Sequence, residues 1–148
     1  MAYSGCSSAI TVISGVSHAE AAVATDAVMT AYHAITRRAE VKPGETVFLF
    51  GLGGLGFNAL QVVHKAIGAR VIVSDIRRER LDEAAKLGVP KRDIVPAGTS
   101  VQQFVKENDL EGKIDTVLDF VGESQTFEDA QHIGQSSYSR SQTRELPY

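Results

Sequence analysis

Apolar positions recur along this chain in two periods, and the alternation between them lays out the elements. Residues 17–38 carry a helical pattern. Ser17 stands where an N-cap belongs, Glu20 three residues on completes a capping box, and Met29, Tyr32 and Ile35 follow at spacings of three. Val41-Lys42-Pro43-Gly44-Glu45 reads as a turn, because proline and glycine together break a helix and reverse the chain. Thr46-Val47-Phe48-Leu49-Phe50 is then apolar without alternation, the signature of a parallel strand covered on both faces. A glycine turn follows at once. Beyond it, residues 57–67 return to helical spacing, with Leu60, Val63 (or Val62) and Ile67 toward the sheet and Gly68 at the C-terminal cap position.

The alternation continues. Residues 70–74, built around Val71-Ile72-Val73, form a second buried strand that ends at Asp75. A helix over 77–87 turns Leu81, Ala84, Ala85 and Leu87 inward, and Gly88 and Pro90 stop it. Ile94-Val95 is a short third strand, and Val101, Phe104 and Val105 mark one face of a short helix. Residues 115–121 form a fourth strand ended by Gly122, and 126–133 are helical. Strands alternating with helices of about ten residues make βαβ units, whose right-handed crossovers give a parallel sheet. The pattern predicts an α/β fold of about four strands in the order 3-2-1-4, flanked by helices. The domain spans 1–133 with a helical lead-in at 17–38. From 134 the chain is serine-rich and polar without apolar period, and is expected to be a disordered tail to 148.

Composition narrows the function classes. The 148 residues are 43% hydrophobic and 22% charged, which suits one globular domain with a core of its own. A net charge of −3 offers no electrostatic footprint for nucleic acid or an anionic membrane. No apolar run approaches the ~20 residues needed to span a bilayer. The first residues lack the basic start and apolar stretch of a secretory signal, so the cytoplasm is the expected compartment. Cys6 stands alone, which excludes an intrachain disulfide and a cysteine-rich zinc cluster.

The chemistry centres on Gly51-Leu52-Gly53-Gly54-Leu55-Gly56. A GxGxxG sequence alone is weak evidence. Here a buried strand precedes it, a helix follows, and an acid closes the next strand. Gly51 makes the tight turn, Gly53 lets a pyrophosphate approach the backbone, and Gly56 lets helix and sheet pack closely. The helix N-terminus offers free N–H groups and partial positive charge to phosphates. Asp75 lies 75 − 51 = 24 residues beyond the first glycine, near the expected offset of roughly 20. Its carboxylate can accept both hydroxyls of an adenine ribose and repels a 2′-phosphate, so NAD is expected over NADP. Arg77 and Arg78 pull the other way, since a neighbouring arginine can hold that phosphate. The competing reading makes the glycines a close-packed turn and Asp75 an N-cap for the segment at Arg77.

With these residues in place, the chain resembles the coenzyme-binding half of the medium-chain, zinc-dependent alcohol dehydrogenases. The resemblance covers about 17–133. It rests on the segment from Ala24 to Ala34, Val41-Lys42-Pro43-Gly44-Glu45, the glycine turn, Val73-Ser74-Asp75 and Asp119-Phe120-Val121-Gly122. It implies a Rossmann-type sheet, hydride transfer between an alcohol and nicotinamide, and further site residues. Thr30, Phe120, Val121 and Gly122 fall near the nicotinamide, and Arg80 near the adenosine ribose. Asp26 matches the third protein ligand of the catalytic zinc, a role open to a carboxylate. The family's other zinc ligands, its proton-relay hydroxyl and its last two strands have no counterpart in this sequence. Zinc is therefore not expected here, and Asp26 reads first as a surface carboxylate. His33 reads as a packing residue, and His18, His64 and His132 as surface positions.

Three functions follow as expectations: a component of an NAD-dependent oxidoreductase, an NAD-binding module without turnover of its own, and a structural module. The fourth strand, with an unpaired edge, is the expected place of self-association.

Overall fold

A computed structural model describes residues 15–141, with side chains through 134. Three parallel strands form the sheet: β1 (Thr46–Phe50), β2 (Arg70–Ser74) and β3 (Thr116–Asp119), in the order β2-β1-β3. Five helices accompany them: α1 over residues 18–38, α2 over 54–67, α3 (Arg78–Leu87), α4 (Val101–Glu107) and α5 (Ser124–Ser141).

The apolar run of β1 explains the layering. Its side chains alternate between two faces, and both faces are filled. Val47 and Leu49 join Ala31 and Ile35 of α1, Leu60 and Val63 of α2, Val71, Val73, Leu81 and Ala84 in one buried cluster. Phe48 and Phe50 join Ile72, Phe104, Val105, Ile114 and Ile133 in the other. The two rings stack 4.7 Å apart at 43°, within the range that aromatic pairs favour. β1 is thus the buried centre of a three-layer α/β/α sandwich. Its register is pinned at the bottom by Asp115, whose carboxylate accepts the Thr46 N–H at 2.8 Å.

Ile94-Val95 departs from expectation. This segment lies beside β2, as the order 3-2-1-4 required, but as a single parallel bridge, Val73 to Ile94, closed by the Val95 N–H on the Val73 carbonyl at 2.9 Å. The reason is local. A tight turn over Lys91–Asp93 precedes the pair and Pro96, which has no N–H to donate, follows it. Asp93 (1% exposed) takes the Arg70 guanidinium at 2.5 Å and holds that turn against the start of β2.

Two helices also differ from the sequence pattern. In α1 the capping box forms as expected, Ser17 with Glu20, but the buried positions are Ala31 and Ile35, whereas Met29 and Tyr32 stand half exposed. The small Ala31 lets α1 lie close on α2, which turns the larger side chains outward. α5 runs past Ile133 to Ser141, through the first part of the segment expected to lack regular structure. Extending a helix already seated on the sheet fixes one residue per added bond and escapes the cost of nucleation. Residues 142–148 and Cys6 lie outside the described residues. No helix among the described residues is long and apolar enough to cross a membrane.

Candidate functional site

The chain leaves β1 at its carboxyl end and turns on Gly51, whose φ of +81° an L side chain rarely adopts. The Gly51 N–H donates to the Ser74 carbonyl at 2.8 Å, and the Leu52 N–H to Asp75 Oδ2 at 2.7 Å. The turn is thereby sewn to the end of β2. Each glycine meets different surroundings. A Cβ on Gly56 would stand 1.8 Å from the Gly51 carbonyl oxygen, and one on Gly51 2.6 Å from Val121 Cγ2. A Cβ on Gly53 or Gly54 would meet no protein atom within 4 Å. Gly51 and Gly56 are glycines for the sake of the fold. Gly53 is not.

Gly53 is also the N-cap of α2, and no side chain caps that end. The first helical bond runs from the Phe57 N–H to the Gly53 carbonyl at 2.9 Å. The amides of the first turn of α2 are left for water or a ligand, at the positive end of the helix.

Opposite the turn, the end of β3 is held by Asp119. Its Oδ1 accepts the N–H groups of Val121 (2.8 Å) and Gly122 (3.1 Å), and its Oδ2 the hydroxyl of Thr126 (2.9 Å). The loop 120–123 is fixed against the start of α5. Between the two lies a crevice of about 290 Å³, bounded by Gly51, Gly53, Asp75, Ile76, Arg77, Phe120, Val121 and Thr126 among others. It sits outside the carboxyl ends of the strands, where the chain order reverses between β2 and β3 about β1. Open α/β sheets bind ligands at that place.

Asp75 is 4% exposed at its side chain and still lines the crevice. Its Oδ1 accepts the Arg77 N–H (2.8 Å) and Nε (3.2 Å), and its Oδ2 accepts Leu52 N–H and Arg77 Nη2 (3.3 Å). The N-cap role foreseen for this acid is not met: Arg77 itself is the N-cap of α3, and no side chain caps that end. Asp75 instead binds the amide of Arg77, just before the helix. Burial by itself raises the Asp75 pKa, but the hydrogen bonds from Arg77 and Leu52 and the guanidinium charge outweigh it and hold the carboxyl below the ordinary 3.8. The folded value lies below the unfolded one, so the carboxylate's contribution to stability is complete above 3.8 and is lost as pH falls through the folded value. Urea midpoints of the wild type and Asp75→Asn, followed from pH 7 into acid, should differ at neutrality and converge below 3.8. A constant gap would contradict this.

Not every residue singled out from sequence meets here. Gly51, Gly53, Asp75, Phe120 and Val121 bound the crevice directly. Leu52 contributes its amide while its side chain is fully buried. Gly54, Leu55 and Gly56 form the first turn of α2, and Gly122 the loop after β3. Arg80 pairs instead with Glu83 at 2.7 Å, and Thr30 is exposed on α1; neither bounds the crevice. Asp26 is exposed, and no group of three His, Cys, Asp or Glu side chains among the described residues could hold a metal ion. The donors among the described residues do not make up the three protein ligands of a catalytic zinc. Sequence reasoning overlooked Ile76 (91% exposed at the crevice), Thr126 and the bracing by Asp119. An acid followed at two residues by a glycine-bearing loop was a readable signal for Asp119, since aspartate binds amides just downstream.

Residues 54–135 match the zinc-binding dehydrogenase family. Probable D-xylulose reductase A of Aspergillus clavatus is 34% identical over 104 residues, which are 67% of this chain and 28% of that protein. The acetophenone reductase of Geotrichum candidum, solved in complex with NAD, is 36% identical with a TM-score of 0.65 over 80% of this chain and 31% of its own. A quinone oxidoreductase of Thermus thermophilus, solved also with NADPH, is 30% identical with a TM-score of 0.65 over 82% of this chain and 38% of its own. The chain therefore spans less than a third of the length of such curated relatives, and it belongs to the zinc-binding dehydrogenase family, whose Rossmann-type coenzyme-binding domain it carries.

Proposed function

We propose that this chain binds a nicotinamide dinucleotide across the crevice, NAD(H) in preference to NADP(H), as the coenzyme-binding part of an alcohol dehydrogenase-like oxidoreductase. One observation carries the reading. An uncapped helix N-terminus, an open Gly53 and a nearly buried carboxylate all bound one crevice at the switch point of the sheet. The diphosphate fits over Gly53 and the first turn of α2. The adenine ribose fits at Asp75, with the exposed Ile76 beside it as an apolar surface for the base. Phe120 and Val121, held by the Asp119 turn, suit the nicotinamide end, where the bound cofactor would supply hydride chemistry at its C4. The acetophenone reductase solved with NAD supports the choice of cofactor. Because Asp26 lacks partner ligands among the described residues, no step is assigned to a metal held by this chain. The outer edge of β3 has no neighbouring strand among the described residues, which supports association through that edge.

Calorimetric titration tests the reading. The chain should bind NADH with measurable heat. Gly53→Ala should keep its thermal midpoint, because the added methyl meets no protein atom. It should nevertheless weaken NADH about tenfold, a cost of roughly 1.4 kcal/mol. No heat at millimolar NADH, or equal affinity for both proteins, would count against it.

A further inference from the structure

Resting on the dinucleotide reading above, we propose that Arg77 is a specificity-determining residue: its guanidinium occupies the ribose acceptor Asp75 in the free protein and leaves it when cofactor binds. An ionised carboxylate offers about four acceptor positions. All four on Asp75 are taken: two by the amides of Leu52 and Arg77, and two by the Arg77 side chain, Nε on Oδ1 and Nη2 on Oδ2. The amides belong to the turn and to the start of α3, so they stay. The side-chain donors are the replaceable pair, one on each oxygen, and a vicinal diol presents two O–H donors in the same way. The Arg77 fork therefore stands where the ribose hydroxyls would bind.

The guanidinium can leave. The side chain is 50% exposed, with Glu79 and Glu83 of α3 close enough to interact with its charge. The arginine half of the pair is open to solvent, which weakens it toward the value of a surface pair and puts its competition with the diol at about fivefold. Once released, the planar cation remains at the mouth of the crevice, suited to a phosphomonoester on the same ribose. One residue thus lowers affinity for a free diol and raises it for a 2′-phosphate, which narrows the preference that Asp75 creates. Arg78, adjacent in sequence, makes no such contact with Asp75.

The expectation runs against ordinary electrostatics, since a cation is removed beside an anionic ligand. In titrations of the full chain with NADH and with NADPH, Arg77→Ala should lower the NADH dissociation constant about two- to fivefold. It should raise that for NADPH about tenfold. Arg77→Lys, which keeps the charge and loses the fork, should show the NADH gain and retain most of the NADPH affinity. If Arg77→Ala weakens both cofactors together, or leaves their ratio unchanged while the wild type binds NADH, Arg77 does not act on Asp75 and this proposal alone fails. If no variant and no wild type binds either cofactor, the dinucleotide reading fails and takes this one with it.

Discussion

Gly56→Ala is expected to cost this domain about 3 kcal/mol or more of folding stability, the upper range for a forced contact in a packed region. The added methyl carbon would lie 1.8 Å from the Gly51 carbonyl oxygen and 2.9 Å from its carbon. Both are backbone atoms of a turn held by the Ser74 carbonyl and the Asp75 carboxylate. No rotamer change relieves such a contact. Either α2 moves off the sheet, opening the cluster of Leu49, Ala59, Leu60 and Val63, or the glycine turn breaks. Gly54→Ala, two residues earlier in the same helix, is the control. It meets nothing within 4 Å, and alanine at a compatible helical position stabilises by about 0.4–1 kcal/mol. Urea unfolding of the two variants should move their midpoints in opposite directions. A Gly56→Ala protein as stable as the wild type would show that α2 does not sit as close to the turn as described.

Asp75→Asn is expected to leave the fold in place and remove most NADH affinity. The asparagine oxygen still accepts the Leu52 amide, so the turn keeps its tie to β2. The second oxygen becomes an NH2 group, which faces the Arg77 fork and a ribose hydroxyl as a donor. Loss of hydrogen bonds to a charged acceptor is worth about 1.5–3 kcal/mol, so the NADH dissociation constant should rise about 10- to 150-fold. NADPH should lose far less, because the carboxylate that repels its 2′-phosphate is gone and Arg77 is free to meet it. Titration of both cofactors reads the result. Equal losses for the two would mean that Asp75 acts through the fold and not on the ribose.

Much of this site was legible because its parts are local. Gly51, Gly53, Gly56 and the helix after them are consecutive, and their roles follow from a strand that must turn sharply into a helix. Asp75 could be found because the βαβ unit has a nearly fixed length, which puts the tip of β2 at a set distance along the chain. Other assignments depended on contacts that no spacing encodes. Arg80 and Arg77 are equally basic and three residues apart, yet Arg77 sits on Asp75 while Arg80 reaches Glu83. Which way a long, exposed side chain turns is settled by neighbours brought together in folding. The same holds for Met29 and Tyr32, apolar by pattern and exposed in fact, because a single alanine on α1 set the closer approach.

By itself, the sequence determined the class of fold, the centre of the sheet and the glycine turn. These arise from backbone sterics and from burial of an unbroken apolar strand, and they act within one βαβ unit. Only the tertiary structure decided that Ile94 contributes a single bridge to β2, and that Arg77 covers Asp75 while Arg80 turns to Glu83. Each of these depends on distances between segments far apart in the chain, or on a competition among donors for one carboxylate, and neither is written in residue order.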